Sequence, residues 1–148
     1  MLRVMKLPLV IYNHDDTCEL LFDDRSLVHR EGSALQYLEG MCLMNGSSLE
    51  GRIDAFRYIT HTSQKSAVMI SEISQDLYFP TISMMSKDCI WIQYNHIVDA
   101  SGGTDHTHIF FEKGISMDIP ASLRTIKLQM KRCEAYLSIL HHMESQYR

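Results

Sequence analysis

Leu77 to Val98, LYFPTISMMSKDCIWIQYNHIV, holds two short apolar runs separated by a polar loop. Leu77-Tyr78-Phe79 stops at Pro80, which has no N–H to give to a ladder and so suits a strand end or an edge. Ser83 to Asp88 reads as a turn region. Ile90-Trp91-Ile92-Gln93-Tyr94 is rich in β-branched and aromatic residues and predicts a central strand. His96-Ile97-Val98 extends that strand or begins the next. Trp91 is the only tryptophan, and its large side chain marks where a core forms.

Working outward, Val4 to Tyr12 and Cys18 to Phe22 read as two strands joined across the polar turn Asn13-His14-Asp15-Asp16. Asp23-Asp24-Arg25 is a second turn, and Ser26 to Arg30 a third strand. Ser33 and Gln36 have capping-box spacing at the start of a helix whose stripe is Leu35, Leu38, Cys42 and Leu43. Asn45-Gly46 stops it. Ser47 and Glu50 repeat the capping-box spacing, which predicts a second helix carrying Leu49, Ile53, Phe56 and Ile59. Ala67 to Ile70 is a short strand. Asp99 to Thr104, DASGGT, is expected to be a loop. Thr107 to Phe111 and Ile115 to Ile119 form a hairpin turned at Glu112-Lys113-Gly114. Ala121 to about Ser145 is one long helix. The expected fold class is therefore α+β: a mainly antiparallel sheet, an inserted helical pair and a long C-terminal helix. The chain reads as a single domain, 1–148, with N-terminal strands (1–32), the helical pair (33–60), a β region (65–119) and the helix (121–145).

The 148 residues, 45% hydrophobic and 22% charged, suffice to bury about two-thirds of the unfolded surface in one core. The four cysteines, at 18, 42, 89 and 133, include no CxxC; this points to a reducing compartment. No window approaches about 18 continuous apolar residues, so a membrane segment is not expected. The N-terminal run lacks a small-residue cleavage site. The expected location is the cytoplasm.

Charge is unevenly spread. Residues 1–120 carry 9 Lys and Arg against 16 Asp and Glu, whereas residues 121–148 carry 5 against 2. An acidic body ends in a basic helix. On that helix Leu123, Ile126, Met130, Cys133, Leu137 and Leu140 recur at spacings of 3 and 4, a seam able to pack on a sheet or on a second copy. Leu123, Ile126, Met130, Leu137 and Leu140 are the expected oligomer interface. Arg124, Lys127, Lys131 and Arg132 lie on the opposite side and suit phosphate contact, with Lys65, Lys87 and Arg52 extending them.

Catalytic and metal patterns are weak. Cys89 with His96, or His106 with His108, match no zinc spacing. There is no GxSxG, P-loop or glycine-rich fingerprint, and capping accounts for Ser47 better than nucleophilic catalysis. Neither a metal nor another cofactor is expected, nor a small-molecule substrate, and the chain does not read as an enzyme.

Four stretches together resemble the bacterial competence transcription factor family, ComK. Asn45 to Arg52, NGSSLEGR, is similar to its Gly-Ser-Ser-aromatic-x-Gly-Arg segment. Leu77 to Thr81 matches an apolar run ending in Phe-Pro-Thr. Cys89-x-Trp91-Ile92 with His96 matches a Cys-x-Trp-Ile…His block. The Lys113-Gly114 hairpin leads through Ile119 to Ser122 and a helix. The resemblance spans about Gly40 to Leu137. It implies a DNA-binding transcriptional activator that reads paired AT-rich boxes through the minor groove as a multimer, held in check by an adaptor and a protease. Mapped onto this chain, Gly46, Ser47, Ser48, Gly51 and Arg52 match. Ser47 and the amides after it would hold a phosphate at a helix N-terminus, and Arg52 would enter or abut the groove. Departures are Leu43, Met44 and Asn45 where the family has an Arg and two aromatics, Leu49 where it has an aromatic, the acidic body, and a short run after the helix where family members often have a basic tail. An alternative class follows from them: a diverged paralogue that binds a protein, either a full-length regulator or its proteolytic adaptor, with little DNA affinity of its own.

Overall fold

The two apolar runs of the 77–98 stretch become neighbouring strands, Leu77–Pro80 and Ile90–Gln93, inside an antiparallel sheet. The structure is a computed structural model that describes residues 6–146. In chain order its strands are β1 Val10–Asn13, β2 Thr17–Leu21, β3 Leu27–Glu31, β4 Val68–Met69, β5 Leu77–Pro80, β6 Ile90–Gln93, β7 Ile97–Gly102, β8 Thr107–Phe111 and β9 Ser116–Ile119. Its α-helices are α1 Ala34–Met44, α2 Leu49–Thr60 and α3 Leu123–Gln146. Six strands form one sheet in the order β3-β2-β1-β6-β5-β4, and β7-β8-β9 form another. All pairings are antiparallel. The fold is α+β, as expected.

The strand period of two divides the side chains of the large sheet between two cores. Ile11, Tyr78 and Trp91 point to the side covered by Tyr37, Leu38, Met41 and Cys42 of α1. Val10, Leu77, Phe79 and Ile92 point to the other side, where Ile109, Phe111 and Ile119 of the small sheet meet Ile126, Cys133 and Tyr136 of α3. Register holds this in place: Ile11 lies opposite Trp91, and Ile92 lies between Val10 and Phe79. Strands buried on both faces are near-continuously apolar, so LYF and IWI read as unbroken runs. Trp91 is fully buried, and its indole N–H has no hydrogen-bond partner among the described residues.

Several boundaries differ from expectation. The first strand begins only at Val10; Val4 and Met5 lie outside the described residues. Of the two uses expected for His96-Ile97-Val98, the structure takes the second: β6 ends at Gln93, and Ile97-Val98 begin β7 in the other sheet. The expected loop from Asp99 is strand as far as Gly102. Its polar side chains are exposed, and its backbone pairs with β8 across a bulge between Ile97 and Asp99. A Cβ on Gly102 would lie 2.4 Å from the His106 carbonyl oxygen, so a strand this close requires glycine there.

The seam of α3 packs on the chain's own core, the first of the two uses its spacing allows. Ile126 is fully buried, and Leu123, Met130, Leu137 and Leu140 pack against the core between the two sheets. The Thr107 hydroxyl donates to the Ala121 carbonyl at 2.7 Å, and the Leu123 N–H to that of Gly103 at 2.9 Å, fixing the helix start on the small sheet. The rings of Phe56 and Tyr136, 5.0 Å apart, join α2 to α3.

Candidate nucleic-acid interface

The segment NGSSLEGR, 45–52, is the turn between α1 and α2. Asn45 is the C-cap of α1, and Gly46 follows with φ +78°, a left-handed conformation that suits glycine. The Gly46 N–H donates to the Leu43 carbonyl and the Ser47 N–H to that of Cys42, the paired bonds of a Schellman ending. Ser48 is the N-cap of α2 and accepts from the Gly51 N–H at 3.0 Å. This corrects the expected capping box at Ser47, whose hydroxyl instead donates to the Cys42 carbonyl. Two adjacent serines can each cap a helix; the Schellman ending uses Ser47 and leaves Ser48 as the cap.

The N-terminus of α2 already meets an anion. Glu39 of α1 accepts from the Leu49 N–H at 2.6 Å, where a phosphate was expected. A carboxylate there satisfies a free backbone donor and the positive end of the helix dipole.

Arg52 is turned inward. It is 9% exposed, its Nε donates to the Ser47 hydroxyl at 3.0 Å, and its Nη1 lies 3.6 Å from the Glu72 carboxylate. Burial pushes the Cys42 thiol and the Tyr136 phenol up from their ordinary values, and the nearby Arg52 charge pulls both the other way. The guanidinium therefore ties the α1–α2 turn to the 71–76 turn.

The other expected basic residues divide into two places. Arg124, Lys127 and Lys131 are exposed on α3 and Arg132 is partly buried. With 3.6 residues per turn the four span an arc of about 140° on the side away from the core. Lys65 joins them: its carbonyl accepts from Nε2 of Gln129, a buried side chain that also donates to the Pro80 carbonyl at 2.8 Å. The same glutamine accepts from Arg132 Nη1, which also donates to the Gln64 carbonyl. Gln64, Lys65, Thr125, Leu128, Gln129 and Arg132 line a shallow groove of about 130 Å³. Lys87 stands apart. Asn13 donates to its carbonyl and accepts from the Ala34 N–H, which places Lys87 beside α1, across the sheet from α3.

The α3 group is a cluster of cations without counter-charge on one helix, although Arg25, Arg30, Arg57, Lys65 and Lys87 elsewhere also make no ion pair among the described residues. Among the described residues, Arg124, Lys127, Lys131 and Arg132 make no ion pair, whereas Lys6 and Lys113 meet Asp23 and Arg52 meets Glu72. No acidic residue lies between Asp118 and Glu134. The first turn of α3 has no acid to balance the helix dipole and carries Arg124 instead. Sequence reasoning found these four cations but did not find Gln129, whose burial seats Arg132; a glutamine between basic residues gives no pattern to read.

The histidines weighed as ligands have carboxylate partners. His106 bonds Asp105 and His108 bonds Asp118, and no group of three His, Cys, Asp or Glu is placed for a metal among the described residues. Burial raises the Cys89 thiol, away from ligand or nucleophile chemistry. No helix among the described residues is long and apolar enough to cross a membrane.

The family model described as ComK protein matches residues 5–145. The competence transcription factor of Bacillus subtilis (strain 168) is 27% identical over 116 residues, covering 78% of this chain and 60% of that protein. The chain thus spans less than two-thirds of that relative's length. No solved structure matches. With a family model that reaches from β1 through nearly all of α3, the chain belongs to the ComK family.

Proposed function

We propose that this protein is a DNA-binding transcriptional regulator of the competence type. It reads paired AT-rich boxes through the minor groove as a multimer, and it works without catalysis. The observation that carries this reading is the set of four unpaired cations on the solvent side of α3, with Lys65 beside them. Cations left without acidic partners are those whose counterions a polyanion can displace. The narrow A·T minor groove concentrates negative potential and favours Arg and Lys. The relative's name supports the regulatory role. In this reading Arg52, Ser47, Ser48 and Gly51 shape the turn rather than touch DNA. Assembly uses a surface other than the Leu123–Leu140 seam.

The test is binding of the purified protein to a duplex with two AT-rich boxes, against a G·C-rich control, across a salt series. Preference for the AT-rich duplex with log K falling by about 0.9 per phosphate contact per decade of salt is the expected result. Absence of binding by folded protein at low salt overturns it. That outcome favours the second reading, a protein-binding paralogue whose partner is a full-length regulator or a proteolytic adaptor. The acidic body, with 16 Asp and Glu against 9 Lys and Arg in residues 1–120, is the observation behind that reading.

A further inference from the structure

We infer that Leu128 is an apolar wedge that inserts between base steps while the surrounding cations hold the phosphates; this rests on the DNA-binding reading above. Leu128 is 48% exposed, on the solvent side of α3. It stands one turn after Arg124, one turn before Arg132, and between Lys127 and Lys131. Between Arg124 and Arg132 it is the one apolar side chain inside that arc; the exposed Ile139 lies on the same side three turns further on. Two turns on, the same side carries Ala135, too small to cover it.

A scattered exposed leucine is ordinary on a protein surface. This one is set apart by its surroundings. It lines the same shallow groove as Lys65 and Arg132, and Arg132 there is anchored through the buried Gln129. The charge complementary to this face is that of a polyanion. Phosphates flank a stack of flat apolar surfaces in a nucleic acid duplex, and a leucine among phosphate-binding cations matches that alternation. Apolar side chains that enter the minor groove part a base step and kink the duplex toward the major groove. Flexible pyrimidine–purine steps such as TA lower the cost, so such a wedge adds to a preference for AT-rich sites.

The probe is an AT-rich duplex with 2-aminopurine replacing one adenine in a box, read by its emission and titrated with wild type, Leu128→Ala and Leu128→Met. Wild type should raise the emission on binding, as a parted step unquenches the base. Leu128→Ala should lose that rise and about five- to tenfold of affinity for the AT-rich duplex, with an unchanged salt slope. Leu128→Met should keep most of both. Thermal unfolding should coincide for all three, because the side chain is half out in solvent. If wild type binds without raising emission at any position in the box, or if Leu128→Ala binds and unstacks like wild type, the wedge is overturned and the regulator reading stands. If wild type does not bind at low salt, both fall.

Discussion

Arg52 and the four cations of α3 sit on helices that pack on one another, and their surroundings are opposite. Arg52 is enclosed: Ser47 accepts its Nε, Glu72 meets its Nη1, and little of it is exposed. Arg124, Lys127 and Lys131 are open to solvent and make no ion pair among the described residues. Arg52 belongs to one of the four segments that resemble the family, whereas the α3 cations belong to none. A motif shared across a family records whatever those residues do in common, and here each residue of NGSSLEGR with an assigned contact serves the passage from one helix to the next. Arginine at the end of a motif is as able to tie a turn as to read a groove. What separates the two is the presence or absence of a partner.

Substitutions on either side sharpen this contrast. The largest effect is expected for the double variant Lys127→Ala/Lys131→Ala. Loss of two phosphate contacts should lower the salt slope by about 1.8 and weaken binding at 0.1 M salt by about 60-fold, roughly 2.4 kcal/mol. A salt series with the AT-rich duplex reads both, and an unchanged slope would remove α3 from the interface. Arg52→Ala should cost about 2 kcal/mol of stability, since it leaves Ser47 and the turn without a charged donor. Chemical denaturation measures the loss. Affinity per folded molecule should stay at the wild-type level; a drop in affinity without a drop in stability would return Arg52 to the groove. Ser48→Ala should cost about 1 kcal/mol as a lost N-cap, while Ser47→Ala, away from the cap, should disturb the α2 N–H groups less in hydrogen exchange.

The smallest effect concerns a cation that is exposed yet paired. Lys113 donates to Asp23 at 2.7 Å, and that bond holds the Asp23 carboxyl below its usual value of 3.8. A depressed carboxylate contributes stability that is present above its unfolded pKa and is lost as pH falls through the folded value. Lys113→Ala should return Asp23 toward 3.8 in an NMR titration and leave the DNA salt slope unchanged. A shallower slope would mean that paired and free cations both reach phosphate.

The sheet was legible in the sequence where burial is two-sided, because β5 and β6 then favour near-continuous apolar runs, with Gln93 buried only through its bond to Asp76. The Ser33 and Gln36 box was legible too, being a local pair with both of its bonds formed. Strand β7 was not. Its exposed Asp, Ser and Gly look like a loop, and only pairing with β8 makes them a strand. The α3 seam was legible as a pattern but not in its use, since spacings of 3 and 4 serve a sheet of the same chain as well as a second copy. For the basic site, the sequence identified the charges; their sorting into tied and free depended on Ser47, Glu72 and Asp23, which are distant or unpatterned in the chain. Gln129 carried no signal at all.

The same helix that offers its charges to solvent is the lid of the core between the two sheets, with Ile126, Cys133 and Tyr136 beneath it. Recognition and folding are therefore built on opposite sides of one rod. The outer side can be altered residue by residue, while the rod itself cannot be excised: a cut within it would uncover Phe79, Ile92 and Ile109 together. A single proteolytic nick there would thus silence the molecule and mark it for clearance in the same event.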